Sequence, residues 1–250
     1  MTCYPFLAVG ILLAFISCGL ATGADAPATP ATPDLGPNLP VVGTDGGPVV
    51  REGTEWAIIN CFGDNNPQMP RVLLIGDSIS AQYSGVVRDA LQGKYLVDNL
   101  ATSRSVNDPV LHTQILSFLQ EHRYTLIYFN NGLHGFHLDG PHYAAGLKVL
   151  TQFLRDHGNG AKLIFATSTP LSDMTEGHPL TKNNAIVLER NAAAQELLPG
   201  FGLPLDDLYA LMVAHLDLHS DMYHFTHDGS VLLGTHIAQT ILAALASPPA

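Results

Sequence analysis

The sequence has little charge, and only a third of it is basic. Of its 250 residues 13% are charged, with 11 Lys and Arg against 22 Asp and Glu and a formal net charge of −11; soluble proteins average about 25%. The missing cations exclude a nucleic-acid-binding surface, which needs a basic patch or stripe to meet phosphates. Cysteine is nearly as scarce, since Cys3, Cys18 and Cys61 are the whole set. No zinc-type cysteine pair exists among them, and a single remaining thiol makes no intramolecular disulfide. Disorder is excluded by what is plentiful, because 46% apolar content is enough to bury a core. The length suits one domain with a tail.

Charge is absent altogether from residues 1–23, where Phe6 to Leu20 form a nearly continuous apolar run. At about 15 residues the run is short of the roughly 20 that a bilayer span needs. It reads as the h-region of a signal peptide over residues 1–23, with a small-residue cleavage site near Gly23 or Ala24 and no basic n-region. Export to the periplasm or medium is expected, with no membrane span left after cleavage; a retained N-terminal anchor or a lipid tether at Cys18 is the less favoured alternative. Cys61 then stays as a small buried apolar residue. Residues 24–60 are a Pro, Ala, Thr and Gly-rich linker and lead-in, with no apolar period in their first half. The folded domain is expected over residues 61–250, its start lying between Glu52 and Arg71.

From Arg71 onward, short apolar runs alternate with segments of helical period. Strands are expected at 72–75, 95–97, 126–129 and 163–166. Between them Ile79, Tyr83, Val86, Val87, Ala90 and Leu91 share one helical face, as do Val110, Ile115, Leu116 and Leu119, and then Tyr143, Leu147, Leu150 and Leu154. Residues 231–245 read as a closing helix. Apolar strands separated by helices predict a mainly parallel sheet covered on both faces, a three-layer α/β/α domain of flavodoxin-like type. Ligands in such sheets bind beyond the carboxyl ends of the strands, so the chemistry is sought in those loops.

Gly76-Asp77-Ser78 falls at the first strand-to-helix turn. A serine there exposes its Oγ at the sheet edge, and the free N–H groups of the helix start suit an oxyanion; the plainer alternative is a helix cap. Near the other end, Asp221-Met222-Tyr223-His224 precedes the closing helix. A serine nucleophile needs an imidazole to take its proton and a carboxylate to orient that imidazole. An Asp and a His three apart on a tight turn supply both, whereas His227 is less naturally placed to pair with Asp221.

Together these two blocks, in this order and context, resemble the SGNH or GDSL hydrolase superfamily over residues 71–246. The resemblance implies Ser78 as nucleophile, His224 as general base and then acid, and Asp221 as its orienting carboxylate. The family's middle blocks match less closely. Asn99-Leu100-Ala101-Thr102-Ser103 puts Ala101 where an oxyanion-hole Gly would fall, and its N–H would serve if positive φ is not required. Phe129-Asn130-Asn131-Gly132-Leu133-His134-Gly135 places His134 at the position of the oxyanion-hole Asn, with Asn131 or Asn130 as alternatives; the block resembles a branch carrying Asn-x-Gly-Leu-His. The expected oxyanion hole is thus Ser78, Ala101 and Asn131 or His134.

Asp77 and Arg104 are expected to contact substrate, Arg104 by pairing with an acidic group. The histidines around Asp217 and Asp221 offer a possible metal set, but the serine block accounts for His224 and Asp221 without one, so no metal and no cofactor are expected. The resemblance implies a serine esterase, with an acetylated glycan as favoured substrate and lipid or thioester hydrolysis as the alternative. A noncatalytic glycan-binding domain of the same fold is the reading from another class. The expected partner is a small-molecule or glycan ester, without nucleic acid.

Overall fold

The computed structural model describes residues 41–63, 66 and 68–246. The expected signal peptide and residues 24–40 of the expected linker lie outside the described residues.

Among the described residues six strands form one sheet: β1 (Ala57–Asn60), β2 (Arg71–Gly76), β3 (Leu96–Thr102), β4 (Tyr124–Phe129), β5 (Lys162–Ala166) and β6 (Leu205–Asp206). Their order is β1-β3-β2-β4-β5-β6, with β1 antiparallel to β3 and every other neighbour parallel. Without β1, this is the flavodoxin-like order, whose chain reverses direction across the sheet between β2 and β4. The helices are α1 (Ser78–Leu91), α2 (Pro109–Glu121), α3 (Gly140–His157), α4 (Asn184–Leu197), the short α5 (Leu208–Val213) and α6 (His227–Ala246).

Alternate residues of each strand point to opposite faces, and each face is apolar. Val72, Leu74, Val97, Leu126, Tyr128 and Ile164 pack with the α1 and α6 residues Tyr83, Val87, Leu233, Ile237 and Ile241. Leu73, Ile75, Leu100, Ile127, Phe129 and Phe165 pack with Ile115 of α2 and Leu147, Leu150 and Leu154 of α3. The three-layer reading is therefore correct. Among the described residues α6 is the one helix long and apolar enough to cross a membrane. Here it is a packed core helix, and Gly234 is what lets it approach α1, because a Cβ there would lie 2.6 Å from the Val86 Cβ.

The lead-in differs from expectation. Residues 57–60, assigned to the linker, form the edge strand β1. The stretch before it is pinned to the loop after β3: Arg51 pairs with Asp108 at 3.0 Å, and Trp56 N–H donates to Ser103 Oγ at 2.9 Å. The strand expected at 95–97 runs from Leu96 on to Thr102, paired with β2 through Ala101 and with β1 from Asn99 to Thr102, and its buried Asp98 is neutralised by Arg71 at 2.9 Å.

Candidate active site

The loops at the carboxyl ends of β2 and β4 flank the point where the chain reverses, and the candidate residues gather there. Gly76 ends β2, where a Cβ would lie 2.7 Å from that of Ser80, so only glycine lets the chain turn this tightly into α1. Asp77 then caps the helix, its Oδ1 accepting from Ile79 N–H at 2.9 Å. With the cap supplied by Asp77, Ser78 is the first helical residue and its hydroxyl is free for another partner. That partner is His224: the Ser78 hydroxyl donates to Nε2 at 2.8 Å.

His224 is held from its other side. Its Nδ1–H donates to Asp221 Oδ2 at 2.8 Å, while Asp221 Oδ1 accepts from the backbone N–H groups of Tyr223 and His224, both at 2.8 Å. Burial alone would raise the Asp221 carboxyl, but those hydrogen bonds and the imidazole outweigh it and hold the group below the usual carboxylate range. An ionised Asp221 fixes the proton on Nδ1 and leaves the Nε2 lone pair for the serine. His227, the rival base, is exposed at the start of α6. The parallel packing of α1 and α6 brings the two distant blocks together, since Ser78 opens one helix and His224 lies just before the other.

A cavity of about 600 Å³ opens over Ser78 and His224, lined also by Leu133, His134, Phe136 and Tyr223 and by Glu52, Trp56 and Ile58 of the lead-in. The loop after β4 is fixed from behind by Arg190 of α4, which is 1% exposed. One guanidinium nitrogen donates to the carbonyls of Gly132 and His134 at 2.8 and 2.9 Å, and the other to Gly135 and Leu138 at 2.5 and 3.2 Å.

Four expected roles are revised by these positions. Ala101 lies inside β3, and its N–H faces β1: Ser103 N–H donates to Trp56 O at 3.1 Å, and residues two apart on a strand point their N–H groups the same way. That donor belongs to the sheet, so Ala101 leaves the oxyanion hole. Arg104 donates to Asp108 at 3.0 Å, lies 3.8 Å from Glu55 and has a side chain 17% exposed; it is committed to the protein rather than to an acidic substrate. Asp77 is buried as the helix cap, and burial raises its carboxyl against the opposing pull of His134 and the Ile79 N–H. It is not a substrate contact.

The fourth revision concerns His134. Its Nδ1 lies 2.7 Å from Glu52 Oε1. A carboxylate only accepts, so in the neutral ring the proton sits on Nδ1 and Nε2 carries a lone pair. An oxyanion needs a donor, and His134 in this form offers none. Of the two asparagines, Asn130 spends its amide on Ala166 O and Ser168 Oγ at 2.7 and 3.3 Å, whereas Asn131 donates to Arg104 O at 2.8 Å and retains a second amide hydrogen.

Cys61 is half-buried against the second core layer. It comes within coordination range of Asp98 and His122, but the Asp98 oxygens already accept from Phe62 N–H, Arg71 and the Tyr124 hydroxyl. Those bonds leave the carboxylate no lone pair for a cation. Glu52, Trp56 and Arg190 are site residues that sequence reasoning missed. Trp56, alone of its kind in the chain, was the one available signal.

No family model and no curated protein sequence matches the chain. Solved structures do. An aryl esterase from M. smegmatis superposes with a TM-score of 0.54 at 18% identity, over 70% of this chain and 99% of that one. A carbohydrate acetylesterase from Sinorhizobium meliloti gives 0.56 at 18%, over 70% of this chain and 100% of that one. A lipase/acylhydrolase from Enterococcus faecalis gives 0.54 at 21%, over 73% and 100%. The chain has the fold of the SGNH/GDSL hydrolases, as its two outer motifs implied.

Proposed function

We propose that the protein is a serine ester hydrolase of the SGNH/GDSL type. The observation that carries this reading is the unbroken relay from Ser78 Oγ through His224 to Asp221, with both links at 2.8 Å, at the floor of a cavity. Ser78 attacks the ester carbonyl as His224 Nε2 takes its proton. The same imidazole returns the proton to the leaving alcohol, and water then releases the acyl group by the reverse route. The oxyanion is assigned to the Ser78 N–H at the positive end of α1 and to the free amide hydrogen of Asn131. Losing one such donor costs about 3 kcal/mol of barrier, so Asn131→Ala should lower kcat roughly a hundredfold with KM little changed. A rate within a few-fold of wild type would remove Asn131 from the hole.

The favoured substrate is an acetylated glycan. Trp56, Phe136 and Tyr223 give the cavity aromatic walls of the kind that pack on sugar rings, and two of the structural neighbours are named as an acetyl xylan esterase and a carbohydrate acetylesterase. Glu52 and Asp221 bring negative charge to the site and Arg104 is engaged elsewhere, which favours neutral sugars over uronates. The apolar run Phe6–Leu20 supports action outside the cytoplasm. The direct assay is p-nitrophenol release from p-nitrophenyl acetate by the protein lacking residues 1–23. Turnover above buffer is expected; its absence would favour a noncatalytic glycan-binding domain.

A further inference from the structure

The cavity holds two imidazoles, each with its Nδ1 against a carboxylate. His224 is one. The other is His134, with Glu52 Oε1 at 2.7 Å, a side chain only 14% exposed, and the Trp56 ring edge-on at 5.8 Å between centroids. The serine relay does not use this second pair. Both members reach the cavity wall from separate parts of the chain, Glu52 from the lead-in and His134 from the loop after β4. Each is also held in place. Glu52 N–H donates to Glu55 Oε1 at 3.0 Å, and the His134 carbonyl accepts from Arg190 at 2.9 Å.

We infer that His134 is a specificity-determining residue whose Nε2 accepts a hydrogen bond from a free hydroxyl of the substrate's alcohol portion, and that Glu52 is the positioning residue that makes Nε2 an acceptor. The inference rests on the ester-hydrolase reading and narrows it to polyhydroxylated esters, those in which a hydroxyl stands beside the scissile acyl group. With the Nδ1 proton donated to Glu52, the neutral ring turns a lone pair into the cavity. Beside the Trp56 and Phe136 rings and clear of the serine relay, that lone pair is a matched site for an O–H. An alcohol lacking the hydroxyl leaves it unpaired, which is how buried polar groups discriminate.

The test compares three acetyl esters: p-nitrophenyl acetate, a monoacetylated methyl xyloside with a free hydroxyl next to the ester, and the same xyloside with that hydroxyl O-methylated. Wild type should favour the free hydroxyl over its methyl ether about 10- to 100-fold in kcat/KM. His134→Ala should erase that preference, bringing the free-hydroxyl xyloside and its methyl ether to equal kcat/KM. Glu52→Gln should also erase it, since its amide can donate to Nδ1 and drive the proton to Nε2, whereas Glu52→Asp should keep part of it.

A second measurement needs no turnover. In the Ser78→Ala background, titration of the free-hydroxyl xyloside followed by NMR should show binding weakened by a similar factor when His134→Ala is added. Equal losses on all three esters would overturn the proposal, as would unchanged xyloside binding. Either result leaves the hydrolase reading standing, because that reading depends on p-nitrophenyl acetate alone.

Discussion

Replacing Asp221 with Asn is expected to lower kcat by roughly 10³- to 10⁴-fold on p-nitrophenyl acetate while leaving KM and thermal stability nearly unchanged. The variant is isosteric, and its side-chain carbonyl oxygen can take the place of Oδ1, keeping the bonds from Tyr223 and His224 N–H. What changes is the group facing Nδ1. The carboxylate oxygen now 2.8 Å from the ring becomes an NH₂, which donates. The ring then carries its proton on Nε2 and faces the Ser78 hydroxyl with a donor, so it takes no proton from the serine. Steady-state kinetics of the two proteins, with melting curves as control, check this. A loss smaller than tenfold would mean that His224 is oriented by something other than Asp221.

Arg190→Ala should act through structure first. The side chain is 1% exposed and supplies donors to four carbonyls of the loop carrying Gly132 to Leu138. The Phe136 and Tyr143 rings lie 5.1 and 5.3 Å from its guanidinium carbon. Desolvation lowers its pKa from the usual Arg value, against the opposing influence of Tyr143 and Glu189. Truncation leaves those carbonyls without their donor in a buried site, a loss on the order of 4 kcal/mol. For a domain of this size the melting temperature should fall by about 8–16 °C. Activity at 20 °C should fall as well, because Asn131 and His134 sit on the released loop. Arg190→Lys should recover little of either, since one ammonium cannot span carbonyls bridged by a planar fork. Differential scanning calorimetry of the three proteins measures it; an unchanged melting temperature would show that the loop holds itself.

The serine block, the Asp-x-x-His block and the parallel layers were legible because each is written locally. Gly76-Asp77-Ser78 is a strand-to-helix turn in consecutive residues, and Asp221 meets His224 within one turn. The apolar faces of α1 and α3 follow the helical period almost residue by residue. What was missed depends on distant pairing. Residues 57–60 carry Ile58 and Ile59 at 45% and 56% exposure, so they lack the buried signature of an inner strand, and their partner β3 lies far along the chain. Polar Asp98 and Asn99 broke the apolar run that marks an inner strand, although both pair with β2 and Asn99 with β1 as well. That misplaced Ala101, which is held in the ladder between β1 and β2. β6 has two residues and no period to detect. Arg104 looked like a loop cation free for substrate, yet its nearer partner, Asp108, stands in the next turn of its own sequence at 3.0 Å; only the second acid, Glu55 at 3.8 Å, comes from far along the chain. The role of His134 turned on Glu52, 82 positions away, and no local pattern links them.

Ser78 should become acylated with His224 as its base. The most direct measurement is peptide mapping by mass spectrometry after incubating the protein with a fluorophosphonate, which traps an activated serine as a stable adduct. One adduct per chain is expected, on the peptide containing Ser78 and absent from His224→Ala under the same exposure. An adduct on another residue, or a Ser78 that stays unmodified in the folded protein, would contradict it.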